Sequence, residues 1–249
     1  MWKSFSGFVP FTHKTAFLRL TPSYSSHFSF KEDTMSGKEQ ESAFRQDPNS
    51  QNHPTQHGKS DPATRCLTIL FPGLGYTCDK PLLYYSAKLA EKHGFSVRRL
   101  NYTDLPANAK KDPTALKTAI SCATSQSFAA LDQIDWFSYD HILLIAKSIG
   151  TQIACAYLDA RHLSASAILL TPLEETFRCA SGADLAFHGT RDPWAPDSDA
   201  IREACRKKGI RLLEYEDANH SLETGNIDLD ILHLREIMQE INILMDTLV

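Results

Sequence analysis

The 249-residue sequence has no dense cysteine framework, no long apolar run and no strong charge of either sign. Its six cysteines are scattered without a C-x-x-C pair, and several fall inside apolar stretches. That usage points to buried thiols in a reducing compartment and so to a cytoplasmic protein. No stretch approaches the ~20 apolar residues that a membrane-spanning helix needs. A net charge of −4 gives no broad electrostatic case for nucleic acid or an anionic membrane. The ten histidines include no H-E-x-x-H or comparable spacing, so no metal site is expected. Gly73-x-Gly75 lacks both the third glycine of a dinucleotide fingerprint and the lysine of a phosphate-binding loop, and no cofactor is expected. What remains is ordinary for a globular protein, 42% hydrophobic and 22% charged, with room for one large α/β domain or two small ones.

The first 64 residues differ from the rest. Residues 1–31 are rich in Ser, Thr, Phe and Lys, with no acidic residue before Glu32 and no continuous apolar segment of a secretory signal. Residues 36–64 are polar, with Pro48, Pro54 and Pro62 set among Gln, Asn, Ser and His. Together they read as a disordered N-terminal extension, with Met35 as an alternative start and a transit-peptide-like targeting segment as a further reading of residues 1–34. From Arg65 the pattern is regular. Short apolar runs at Cys66–Phe71, Phe95–Tyr102, Tyr139–Ala146, Ser166–Leu170, Leu185–His188 and Ile210–Tyr215 read as strands. Helical spacing marks Pro81–His93, a helix opened by Asp112-Pro113 and running to about Ile134, Ile149–Ala160, Asp197–Lys208 and Ile227–Leu248. Alternation of this kind predicts a single domain over 65–249, a three-layer α/β/α sandwich with a mostly parallel, doubly wound sheet. Ligands bind outside the carboxyl ends of the strands in such sheets.

The residues with chemical potential fall at those ends. Ala146-Lys147-Ser148-Ile149-Gly150 follows an apolar run and precedes a helix, with a small residue two places either side of the serine. A nucleophile elbow needs this pattern, because its sharp turn brings the flanking positions together. Asp192 follows the strand Leu185–His188, and His220 follows the last strand. In that order His220 would take the proton of Ser148 as it attacks a carbonyl, and Asp192 would hold the imidazole in the productive tautomer. Phe71-Pro72-Gly73-Leu74-Gly75-Tyr76 leaves the first strand as a glycine-rich turn. The amides of Leu74 and Ile149 are the expected oxyanion donors, that of Ile149 at a helix N-terminus.

Each piece has a plainer reading when taken singly. Ser148 could cap a helix, Asp192 could start a turn, His220 could be a surface histidine, and the glycines could only permit a bend. The conjunction, in order and each after a separate strand, favours the site. Glu174 and Glu175 compete with Asp192 as the acid, although a cap pair on the next helix explains them better. Lys147 is expected to point away from the site, and His188 to be a packed or near-site histidine. Tyr76, Trp194 and Leu222 are candidates for lining a pocket, with packing under the loops as the alternative.

With P-G-L-G, A-K-S-I-G, H-G-T-R-D-P and A-N-H-S-L-E in place, residues 65–249 resemble the α/β-hydrolase superfamily, most nearly its small dienelactone-hydrolase-like members. The resemblance implies Ser148 as nucleophile, Asp192 as acid, His220 as base, and Leu74 and Ile149 as oxyanion donors. Gly73, Gly75, Tyr76 and Trp194 would then stand around a small-molecule acyl substrate. Two departures are alanine in place of the first elbow glycine and Pro-Gly in place of the frequent His-Gly of the oxyanion loop. The connection of about 14 residues from Thr171 to Leu185 is too short for a helical cap, so an open site is expected. A serine hydrolase cleaving a small or accessible carboxylic ester, thioester or amide is the leading expectation, with a non-catalytic ligand- or partner-binding role or acyl transfer as alternatives. Substrate identity and oligomeric state stay open at this level.

Overall fold

The computed structural model describes residues 65–180 and 182–249. The reading of residues 1–64 as an extension, with its alternative start at Met35, lies outside the described residues. In chain order the elements are β1 (Cys66–Phe71), α1 (Pro81–Lys92), β2 (Ser96–Arg99), α2 (Pro113–Leu131), β3 (His141–Lys147), α3 (Ile149–Arg161), β4 (Ser166–Leu170), β5 (Ala183–Gly189), α4 (Ser198–Lys208), β6 (Arg211–Tyr215) and α5 (Ile227–Asp246). The strands form one parallel sheet in the order β2-β1-β3-β4-β5-β6.

Strand alternation divides the core between the two faces. Leu67, Ile69, Phe71, Leu144, Ala146 and Leu169 pack with α2, α3 and α4 on one face. Leu70, Leu143, Ile145, Ile168 and Leu170 pack with α1 and α5 on the other. Both faces are therefore dry, which is why the central strands are nearly continuous apolar runs. This is the doubly wound three-layer sandwich that the sequence predicts.

The element ends follow local chemistry. Asp112 caps α2 by accepting from the Thr114 amide at 2.9 Å, and Pro113 occupies the first helical position. Gly209 closes α4 at a left-handed φ of 71°. Asn226 caps α5 through the amides of Asp228 and Leu229. Two boundaries differ from expectation. The second strand pairs only over Ser96–Arg99, because β2 is an edge strand with one neighbour. The fifth is longer than its apolar run, reaching Gly189 by pairing with Tyr215. No helix among the described residues is long and apolar enough to cross a membrane.

The chain runs outward from β1 to β2, then crosses back to β3 on the other side of β1. The carboxyl ends of β1 and β3 thus flank the point where strand order reverses, and the loops leaving them diverge to leave a crevice. The glycine-rich turn and Ser148 leave from these two ends.

Candidate active site

Ser148 sits between β3 and α3 with φ 57° and ψ −125°, a backbone region that non-glycine residues seldom occupy. Its amide is held by the carbonyl of Leu170 at 3.0 Å, and its carbonyl accepts from the Thr151 amide at 2.9 Å and the Thr151 hydroxyl at 2.7 Å. The small flanking residues now have a cause. A Cβ at position 150 would stand 2.6 Å from the carbonyl oxygen of Pro72, so the turn tolerates only glycine there. Ala146 is fully buried between Phe71 and Leu169, its register partners on β1 and β4.

The three candidate side chains are in contact. With His220 neutral, its Nδ1–H donates to Asp192 Oδ2 at 2.6 Å, and its Nε2 accepts from the Ser148 hydroxyl at 2.7 Å. Asp192 is 1% exposed, and its second oxygen accepts from the Trp194 amide at 2.8 Å. Burial pushes the Asp192 carboxyl up, but the hydrogen bond and charge of His220, the Trp194 amide and the Lys147 cation outweigh it and hold it below the usual carboxylate range. Burial holds the His220 imidazole below its ordinary value; the Asp192 hydrogen bond opposes this, and the cations Lys147 and Lys110 add to it. The geometry is consistent with a Ser-His-Asp-like triad, with the imidazole pushed toward its neutral form and the carboxyl toward its ionised form.

The histidine loop is internally braced. The Asn219 side chain accepts from the Ser221 amide at 2.7 Å, and its backbone amide donates to the Glu223 carbonyl at 2.8 Å. Across from it, Gly73 and Tyr76 pair their backbones, with the Gly73 amide donating at 2.9 Å. A Cβ at position 73 would lie 3.0 Å from that of Ser148, so this turn sits directly against the elbow. Gly75 has a left-handed φ of 72°. Neither the Leu74 amide nor the Ile149 amide has a hydrogen-bond acceptor among the described residues. Unpaired N–H groups are the kind of donor that a developing oxyanion requires.

A pocket of about 60 Å³ opens at Ser148 and His220. Leu74, Ile149, Leu173 and Trp194 line it together with Leu116, Ile120 and Lys110. Nothing in the sequence alone marks Leu173, Leu116, Ile120 or Lys110 as lining residues. Leu116 and Ile120 are four residues apart on one face of α2, a spacing that could have flagged them once α2 was known to pass the site. Among the described residues no α-helix is inserted between β4 and β5; their connection carries a 3-10 turn, Glu174–Arg178, which starts with the two glutamates.

Four other residues that the sequence singles out lie outside the pocket wall. Tyr76 is not in this pocket, because the tight Gly73–Tyr76 turn carries its ring to the α1/α5 face, where its hydroxyl accepts from the Leu82 amide at 3.1 Å. Leu222 packs in the core on that same face, 2% exposed. Lys147 leaves the face of the pocket as expected but stays at the site. It is fully buried, and its Nζ donates to Thr171 Oγ1 at 2.6 Å and to the His220 carbonyl at 2.7 Å. His188 is a packed histidine, with Nε2 2.9 Å from the Ser198 hydroxyl.

No protein-family model matches the chain, and neither does any curated protein sequence. Solved structures do. A Xanthomonas campestris pv. campestris protein assigned to the alpha/beta hydrolase superfamily aligns at TM-score 0.52 and 18% identity, over 74% of this chain and 99% of that one. An alpha-beta serine hydrolase homologue from Coxiella burnetii aligns at TM-score 0.51 and 19% identity, over 72% and 87%. Est1E from Butyrivibrio proteoclasticus aligns at TM-score 0.54 and 12% identity, over 74% and 88%. At these identities the likeness is one of fold, and the fold is that of the α/β-hydrolase superfamily.

Proposed function

We propose that the protein is a serine hydrolase that cleaves a small or accessible carboxylic ester, thioester or amide through an acyl-enzyme on Ser148. The observation that carries this reading is the hydrogen-bonded relay, 2.7 Å from Ser148 to His220 and 2.6 Å from His220 to Asp192. As the Ser148 oxygen attacks the substrate carbonyl, its proton passes to His220 Nε2, and Asp192 stabilises the imidazolium. The amides of Leu74 and Ile149 stabilise the oxyanion. The imidazolium then protonates the departing alcohol, thiol or amine, and water activated by the same histidine releases the acid.

The pocket of about 60 Å³, with its largely aliphatic wall, supports a short acyl group and disfavours a long lipid chain. The short Thr171–Gly182 connection supports placement among small dienelactone-hydrolase-like members with an accessible site. One fold neighbour, Est1E, is described with ferulic acid bound, which suits hydrolysis of a small ester. A purely binding role would leave His220 no reason to stand within hydrogen-bond reach of Ser148. Transfer to another acceptor shares the same acyl-enzyme and differs only in what relieves it. Cys155 and Cys205 are buried thiols outside any disulfide, which suits a reducing compartment, and we place the protein in the cytoplasm.

A fluorophosphonate probe tests the reading. It should label the wild-type protein and not Ser148→Ala, while p-nitrophenyl acetate should be turned over faster than p-nitrophenyl palmitate. Labelling that survives the substitution contradicts the assignment of Ser148.

A further inference from the structure

Lys147 is the one buried ammonium in the described part of the chain, and the acyl-transfer steps above do not use it. It ends a strand that is otherwise His-Ile-Leu-Leu-Ile-Ala, on the α1/α5 face by alternation with Ala146. Its cation meets four strand ends at once. It extends from the end of β3, donates to Thr171 after β4, and donates to the His220 carbonyl after β6. Its Nζ also lies 5.0 Å from the centre of the Tyr76 ring, which follows β1.

Fold stability alone does not account for a lysine here. A buried charge carries a desolvation penalty that an apolar side chain of similar length avoids. The penalty is visible in the lysine itself, pushed down to about 7 by burial, with Lys110 acting in the same direction and Asp192 and Glu223 opposing it. The backbone it grips is also unusual. Thr171, a β-branched residue, has φ 48°, and Leu222, two residues beyond His220, has φ 62°. Neither conformation is the chain's own preference; the loop's internal hydrogen bonds hold its shape, and the Lys147 contact joins it to the ends of β3 and β4.

We propose that Lys147 is a positioning residue for the catalytic histidine. Its ammonium fastens the His220 carbonyl to the end of β4 and so fixes where the imidazole stands relative to Ser148. This role rests on the triad reading given above. It has a second, electrostatic consequence. The groups facing Lys147 are Asp192 on the acid turn, His220 and Glu223 on the histidine loop, Lys110 before α2, and the Tyr76 ring. Among these the cation favours ionised Asp192 and disfavours protonated His220. It thereby adds to burial, the larger cause, in disfavouring protonation of His220.

Lys147→Met tests the proposal, because methionine fills similar space without charge or donors. Activity toward p-nitrophenyl acetate should lose about 10²-fold in kcat, as expected for a displaced catalytic group, with KM little changed. The acid limb of kcat/KM should move to higher pH. Amide exchange at Asn219–Leu222 should quicken. A lysine that merely filled the core would alter the melting temperature and leave kcat and the acid limb alone. A folded Lys147→Met with wild-type kcat, acid limb and exchange overturns the proposal. Should that variant not fold, Thr171→Val decides, since it keeps the β-branched shape and removes one acceptor. It should lower kcat by about 10-fold at constant KM and quicken the same amides, in line with the loss of a hydrogen bond to a charged group. Wild-type behaviour of Thr171→Val overturns the proposal. A wild-type protein inert to both ester and fluorophosphonate defeats the hydrolase reading instead. The exchange of the His220 loop and an NMR titration of His220 then still report on the tie.

Discussion

At the scale of single residues, the site depends on keeping a histidine neutral next to an ionised aspartate. Burial lowers the affinity of His220 for a proton, and Lys147 and Lys110 lower it further against the pull of Asp192. On the proposed mechanism only the neutral imidazole accepts the Ser148 proton, so kcat/KM should fall as pH drops through the His220 pKa. The acid limb should therefore have its midpoint below the ordinary ~6.5 of histidine. A pH profile on p-nitrophenyl acetate measures this, and a midpoint above that value contradicts the environment described. Ser148, Asp192 and His220 were legible in the sequence because each follows its own apolar strand, and parallel strands bring such positions to one edge. Lys147 was not. Its neighbour in sequence is the serine, but its partners, Thr171 and His220, lie 24 and 73 residues away. No local pattern reports which loop passes over a strand end.

Among elements, the sheet was read well where burial on both faces makes a strand a continuous apolar run, as in β3 and β4. It was read less well at its margin, where β2 has the burial of an edge strand and its sequence extends past its pairing. The helix caps were legible because Asp112, Gly209 and Asn226 act on amides or dihedrals a few residues away. The wall supplied by α2 was not, because Leu116 and Ile120 meet the pocket only through the path of the whole connection from β2. The β3–α3 elbow has its own prediction. Because a Cβ on residue 150 would meet the carbonyl oxygens of Pro72 and Phe71 at 2.6 and 2.7 Å, Gly150→Ala must push β1 and α3 apart. Urea denaturation should show a loss of about 1–3 kcal/mol, the usual cost of overpacking. Unchanged stability would mean that the elbow is looser than this geometry.

For the whole molecule, the buried charge couples stability to pH. The folded state holds the Lys147 pKa at about 7, well below the ~10.4 of a lysine in an unfolded chain. Between those values the unfolded chain binds the proton that the folded one releases, so folding gains stability as pH rises through this window. Below it the penalty is fully present. Lys147→Met lacks the penalty, so its melting temperature relative to wild type should be most favourable near pH 7 and decline toward pH 10. A difference independent of pH over this range contradicts the buried, proton-shedding lysine. The central claim remains that the crevice where strand order reverses houses covalent chemistry on one serine. Mass spectrometry of the protein quenched during turnover of p-nitrophenyl acetate tests it most directly. The account predicts one added acetyl group, mapped to Ser148 and lost from Ser148→Ala. Turnover with no adduct on Ser148, or an acetyl group on another residue that persists in Ser148→Ala, would contradict it.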